Sequence, residues 1–231
     1  MVACSFYMYK SPLFFLLTIY LLLCCDSPDV YHICGYTDCA DDRDTVSIFY
    51  LNNDDSKEFI SQAIVTDGKF HFEGIVNGYR IANIHISSHG KELCSTFFIE
   101  KGNIELHIGD SSCKATGTPL NEMYTIILDS IAYYIDCLEG IEDMYYSEVR
   151  DCELLAQLGA MGIGMQEKLV DFLRMRIKEN IGNPLGLYLL VVYNRFFSTE
   201  ELWLLFSQSS VKSRQFYDMM HDVVDERPRL Q

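Results

Sequence analysis

The sequence predicts an α+β protein, with an N-terminal antiparallel β-sandwich or open barrel of about seven or eight strands followed by an all-α helical subdomain. Two observations carry that fold class. From residue 30 to 117, short apolar runs of period two alternate with turn chemistry at Asp41-Asp42-Arg43-Asp44, Asn52-Asn53-Asp54-Asp55, Asp67-Gly68, Asn77-Gly78, His89-Gly90, Lys101-Gly102-Asn103 and Gly109-Asp110. At Thr118-Pro119 the spacing changes to that of a helix, with Leu120, Met123, Ile127, Ile131, Tyr134 and Leu138 on one stripe. A third observation sets the remaining boundary, because residues 1–25 differ from everything after them. The chain thus divides into a signal segment (1–25), a β domain (26–117) and a helical subdomain (118–231).

The N-terminal segment has one cation, Lys10, then the apolar run Pro12 to Leu23, and no acid before Asp26. This is the layout of a secretory signal, and a start at Met8 instead of Met1 gives its more usual form. A run of about 12 to 15 apolar residues is short against the roughly 20 that a spanning helix needs. It ends in Leu22-Leu23-Cys24-Cys25-Asp26, which resembles a bacterial lipoprotein cleavage site. Leu22 stands three places before Cys25 and small Cys24 directly before it, so Cys25 is the expected lipidated residue; Cys24, preceded by bulky Leu23, is the alternative. The expectation is a protein anchored to the membrane by an acyl chain in the envelope of a Gram-negative bacterium, facing periplasm or cell surface.

Strands are expected at Tyr31–Thr37, Thr45–Asn52, Phe59–Thr66, Lys69–Val76, Arg80–Ser87, Thr96–Glu100, Asn103–Ile108 and Ser112–Thr116. Asp67-Gly68 suits a type I′ hairpin turn, which requires positive φ at both residues. Ile81, Ile84 and Ile86 share a face only if a bulge intervenes, and Ile104, Leu106 and Ile108 share another. In the second half, a helix from about 165 carries Leu169, Leu173, Ile177 and Ile181. Asn183-Pro184 opens the most apolar stretch, Leu185 to Phe197, and Ser198-Thr199-Glu200-Glu201 reads as a capping box for the next helix. A last helix is expected from Ser210.

A hydrophobic content of 49% is enough for real cores, and a net charge of −15 argues against nucleic acid, whose phosphates demand a basic footprint. Beyond Cys25 the chain holds Cys34, Cys39, Cys94, Cys113, Cys137 and Cys152, an even number compatible with disulfides in an oxidising compartment. Cys34 with Cys39, and Cys94 with Cys113, are the candidate pairs, while small buried thiols fit equally well. None forms a C-x-x-C motif.

Few patterns suggest chemistry. Gly159-Ala160-Met161-Gly162-Ile163-Gly164 has no strand before it and no Lys-Ser or Lys-Thr after it, so an inter-helix hinge is preferred to a phosphate loop. His71, His85 and His107 fall on outward strand faces and would hold zinc only if strand order brought them together; solvated histidines are the preferred reading. Asp41, Asp42, Asp44, Asp54 and Asp55 lack the central Gly and terminal Glu of a helix-loop-helix calcium site. No catalytic residue, resident metal or cofactor is expected.

Gly35 followed by Asp44-Thr45-Val46, then Asp67-Gly68-Lys69-Phe70-x-Phe72-x-Gly74, Phe97-Phe98-Ile99-Glu100-x-Gly102-x-Ile104 and Gly117-Thr118-x-x-Asn121, resembles domain-of-unknown-function family 4369 over roughly residues 30 to 125. The resemblance implies a β domain, often on an envelope lipoprotein and commonly preceding a thioredoxin-like domain; Asn183-Pro184 is similar to a step found before that domain. This sequence reaches Gln231 without a C-x-x-C, the pair whose low-pKa thiolate performs exchange. The expected role is therefore a non-catalytic binding or interaction module with a protein or glycan partner. The alternative is a redox-related protein akin to thiol:disulfide interchange proteins without the catalytic domain.

Overall fold

The computed structural model describes residues 29–51, 57–88, 91–109, 112–147 and 151–209. The signal segment with Cys24 and Cys25, the pair Asp54-Asp55 and the helix expected from Ser210 lie outside the described residues. The eight strands are β1 Val30–Thr37, β2 Thr45–Leu51, β3 Lys57–Ile64, β4 Lys69–Ile75, β5 Tyr79–Ser88, β6 Lys91–Glu100, β7 Gly102–Ile108 and β8 Cys113–Thr116. They form two four-stranded sheets, ordered β4-β1-β7-β8 and β3-β2-β5-β6. The sheets do not close into a barrel. All neighbours are antiparallel except β1 and β7, which run parallel.

Alternation supplies the core between the sheets. Tyr31 and Ile33 of β1, Phe70 and Phe72 of β4, and Ile104, Leu106 and Ile108 of β7 meet Val46, Ile48, Ala82, Ile84, Ile86, Phe97 and Ile99 of the other sheet. Two close approaches fix the β1–β4 pairing. A Cβ at Gly35 would overlap the ring of Phe70, its register partner, and one at Gly74 would overlap the ring of Tyr31.

The Asp67-Gly68 turn has the positive φ expected at both residues, 50° and 69°. It does not join a two-stranded hairpin, however. β3 and β4 belong to different sheets, and only an isolated bridge from Thr66 to Lys69 closes the turn. The turn passes the chain around the edge of the sandwich, and the loop beside it holds it there: Thr37 N–H donates to Gly68 O at 2.9 Å and Asp67 N–H to Asp42 Oδ1 at 2.7 Å. Asp44 Oδ2 accepts Asp41 N–H at 2.9 Å, so these acids order the corner.

Among the described residues four helices follow: α1 Pro119–Tyr146, α2 Cys152–Asn180, α3 Pro184–Val192 and α4 Thr199–Ser207, with a 3-10 turn at Asn194–Phe196. α1 and α2 are antiparallel neighbours of 28 and 29 residues, each about 42 Å long at 1.5 Å per residue. The stripe on α1 is shifted from the expected one: Tyr124, not Met123, is buried with Ile127 and Ile131. Tyr124, Tyr188 of α3 and Phe98 of β6 form a trio of edge-on rings 5.5 to 5.8 Å apart. Because Phe98 and Ile81 face this helical core while Phe97, Ile99, Ala82, Ile84 and Ile86 face the sandwich, the end of β5 and β6 that holds Ile81 and Phe98 is buried on both faces. No bulge is needed in β5: its registers with β2 and β6 run unbroken, and Ile81 points the other way from Ile84 and Ile86.

The expected hinge at 159–164 lies inside α2; α1 ends instead at Tyr146 and α2 begins at Cys152, capped by Asp151, which accepts Glu153 N–H at 2.9 Å. Glycine costs a helix interior about 1 kcal/mol against alanine, a price the packing and capping of α2 outweigh. Gly162 lies next to α1, where an added Cβ would sit 3.8 Å from Ile141 Cγ2. Gly159 and Gly164 have nothing within 4 Å of that position. Replacing either with alanine is therefore expected to stabilise the protein by up to about 1 kcal/mol, read as a raised urea midpoint with unchanged m-value. An unchanged or lowered midpoint would show that the flexibility of these positions is not what limits α2.

The remaining caps agree with their sequence signals. Asn183 Oδ1 accepts Leu185 N–H at 3.0 Å with Pro184 in the first turn of α3. Ser198 and Glu201 form a reciprocal capping box on α4, with bonds of 2.9 and 3.2 Å.

Candidate functional site

The residues that make the sequence distinctive meet at the joint between sandwich and helices. β6 is a sheet edge, so its outward backbone groups need partners. Asn121, fully buried in the first turn of α1, supplies them: its Oδ1 accepts Phe98 N–H at 2.9 Å and its Nδ2 donates to Phe98 O at 2.7 Å. The same Nδ2 donates to Thr118 Oγ1 at 2.8 Å, which occupies the hydroxyl that would otherwise cap the helix. Capping comes instead from the strand side, since Glu100 Oε1 accepts Leu120 N–H at 2.7 Å. Gly117, at φ 88°, donates its N–H to Glu122 Oε1 at 2.9 Å. Glu100, Gly117, Thr118 and Asn121 thus form a clasp that fixes α1 on the sheet edge, and their chemistry is fully engaged there.

Away from this clasp, two surfaces of the described residues bring distinctive side chains together. The first is the outward face of α1. A second apolar series, Met123, Ile126, Tyr133, Cys137 and Met144, recurs at intervals of three, four or seven residues, roughly a third of a turn from the buried stripe. Ile126 is 58% exposed, Tyr133 63% and Met144 49%. The helix carries Glu122, Asp129, Asp136, Glu139, Glu142 and Asp143 and no lysine or arginine. The second is the outward face of β1 and β4, where His32, Cys34, His71 and Glu73 lie together.

The histidines singled out from the sequence do not converge. His71 is on β4 beside His32, the ring centroids 6.2 Å apart. His107 stacks on Tyr36 at 5.1 Å, and His85, on the other sheet, faces Glu92 at 3.6 Å. His32 carries no signal of its own in the sequence, because its neighbours are set by strand order.

Cys34, Cys39, Cys94, Cys113, Cys137 and Cys152 are free thiols. Cys34 points outward from β1, whereas Cys39 sits past its end against the sandwich core, its Sγ 3.2 Å from Thr37 Oγ1. Cys94 is exposed, but Cys113 is set into the core. Burial pushes the Cys113 thiol up to about 11, the neighbouring Ser95 hydroxyl pulls it partly back, and nearby Cys39 adds to the rise. Above its ordinary value of 9.0 the folded state holds this proton more tightly than the unfolded chain does, so its stabilising contribution is intact below pH 9 and is lost as pH rises toward 11. Iodoacetamide at pH 8 is accordingly expected to modify exposed Cys34, Cys94 and Cys152 while Cys113 reacts only near pH 11 or on unfolding, as mapped by peptide mass spectrometry. Modification of Cys113 at pH 8 at the rate of Cys94 would contradict its placement.

An open groove of about 400 Å³ runs along α2, lined by Ile163, Gln166, Glu167, Val170, Asp171 and Arg174. Arg174 is engaged with Glu201 at 3.4 Å and lies over the ring of Phe197. Among the described residues no helix is long and apolar enough to cross a membrane.

No curated protein matches the chain. Among solved structures it is similar to the crystal structure of (S)-allantoin synthase, at 10% identity and a TM-score of 0.27 over 44% of this chain and 48% of that one. The chain spans about half the length of that protein, and a likeness so slight carries no argument about fold or chemistry. Residues 31–124 match the family described as domain of unknown function (DUF4369), a span that runs through the sandwich and ends just past the Asn121 clasp.

Proposed function

We propose that the protein is a non-catalytic interaction module of the bacterial cell envelope, held to the membrane by an acyl chain on Cys25, and that the exposed apolar series of α1 receives a partner protein. The single observation that carries the binding reading is that series, Ile126, Tyr133 and Met144 with Met123, all exposed on a helix whose other stripe is already buried. Tyrosine and methionine are enriched where proteins meet, and a helix-spaced apolar row fits the groove or apolar face of another helix. Charge narrows the partner. Asp129 is paired with Lys114 and Glu122 accepts Gly117 N–H, but Asp136, Glu139, Glu142 and Asp143 with no base on α1 favour an apolar surface rimmed by lysine or arginine and disfavour a second copy of this chain, whose own α1 would repel it.

The resemblance of the leader to a lipoprotein signal, with Leu22 and Cys24 ahead of Cys25, supports the anchor. Two experiments separate the claims. Metabolic labelling with a clickable palmitate should mark the wild-type and Cys24→Ser proteins but not Cys25→Ser; an unlabelled soluble wild type would remove the anchor. Photo-crosslinking from position 133 in intact cells should trap one dominant partner whose contact peptide is basic and apolar. Cross-links only to a second copy, or none, would overturn the proposed surface.

A further inference from the structure

The paired strands β1 and β4 place donors at the four corners of a cross-strand rectangle. His32 lies opposite Glu73, and Cys34 opposite His71. In each strand the two residues are separated by one inward-facing position, so all four project from the same solvent face. Ligand atoms of His32, His71 and Glu73 lie within 4.8 Å of one another; Cys34 is not within that cluster and reaches it through His71, so its side chain must swing inward to complete the set. His32 Nδ1 is 3.8 Å from Glu73 Oε2, and Cys34 Sγ is 3.7 Å from His71 Nδ1.

We infer that His32, Cys34, His71 and Glu73 bind one borderline divalent cation of the zinc class. A tetrahedral zinc ion with bonds of about 2.1 Å to nitrogen or oxygen and about 2.3 Å to sulfur holds its ligand atoms about 3.4 to 3.6 Å apart. The two opposite pairs are already within a few tenths of an ångström of that separation. Two imidazoles, a thiolate and a carboxylate match the borderline-soft character of zinc and are wrong for calcium or magnesium, which demand oxygen. Glu105 of β7, opposite Cys34 in the parallel ladder, adds negative charge beside the site. The simpler reading is one exposed His32–Glu73 ion pair among solvated neighbours, which would contribute little. That reading gives no reason for a thiol and a second imidazole to close the same rectangle. His85 provides a built-in comparison: Glu92 lies 3.6 Å away and Cys94 is its register partner on β6, yet among the described residues their ligand atoms do not gather into a cluster as those of His32, His71 and Glu73 do. Bound metal would pin β4, an edge strand, to β1 next to the Asp67-Gly68 corner. This site is independent of the α1 surface.

The test titrates the full chain, purified in detergent, reduced and stripped of metal, with zinc by calorimetry and with cobalt(II) by absorption. One equivalent is expected to bind, with a tetrahedral cobalt spectrum and a thiolate-to-metal charge-transfer band; magnesium should give neither. Cys34→Ser should abolish the charge-transfer band, and His71→Ala should weaken zinc binding by at least about tenfold, the scale seen when groups supporting a metal site are lost. Cys94→Ser and His85→Ala should change nothing, and circular dichroism should show that all variants are folded. Absence of zinc binding, or binding that survives unchanged in both Cys34→Ser and His71→Ala, would overturn the inference.

Discussion

Replacing Asn121 with leucine is expected to lower the unfolding free energy by about 3 to 5 kcal/mol. Leucine is close in size to asparagine, so the effect is one of hydrogen bonding more than of volume. The substitution leaves Phe98 N–H and Phe98 O without their partner at 2.9 and 2.7 Å, on a sheet edge sealed from water by α1. Each buried orphan costs about 1 to 3 kcal/mol, and Thr118 Oγ1 loses its donor as well. Against a total stability of about 5 to 15 kcal/mol that is a large fraction. Urea titration followed by fluorescence should show the midpoint fall sharply. A loss below about 1 kcal/mol would mean that water reaches the edge of β6 and the clasp is not sealed.

The second large effect is expected at Gly117. Its φ of 88° lies where a side chain is strained, and a Cβ there would strike the carbonyl oxygen of Asn103 on β7. The obstacle is backbone in a paired strand, so it has little room to yield. Gly117→Ala should cost at least about 2 kcal/mol, a fall in Tm of roughly 4 to 8 °C for a chain of this size. Gly159→Ala, in open space on α2, is the matched control and should move Tm the other way. Equal behaviour of the two alanine variants in differential scanning calorimetry would contradict this account of the joint.

What the sequence made legible is local. All eight strands appear in it because alternation and turn chemistry are written residue by residue, and the positive φ values of Asp67 and Gly68 follow from the turn they occupy. Asn183, Ser198 and Glu201 were legible as caps for the same reason. What it concealed depends on distance along the chain. That Asp67-Gly68 connects two sheets, that Ile81 turns to the helices, and that His32 and Cys34 stand opposite Glu73 and His71 all follow from strand order. The three glycines between residues 159 and 164 read as a hinge because propensity is a weak, local term. The tertiary contact of α2 with α1, where Gly162 lies beside Ile141, outweighs it. Asn121 was visible only as a recurring motif residue; that it completes a sheet edge could be seen only once β6 proved to be that edge.

The central claim is that the distinctive residues hold the joint while the exposed stripe of α1 does the binding. Affinity of the purified full chain for the cross-linked partner, compared between wild type, Gly159→Ala and the double variant Ile126→Glu/Tyr133→Glu, tests it most directly. Both replaced residues are more than half exposed, so the double variant should keep the wild-type Tm within about 2 °C while binding falls by at least about a hundredfold, as expected when two apolar anchors are replaced by charge. Undiminished affinity in a folded Ile126→Glu/Tyr133→Glu protein would contradict the claim and move the functional surface elsewhere.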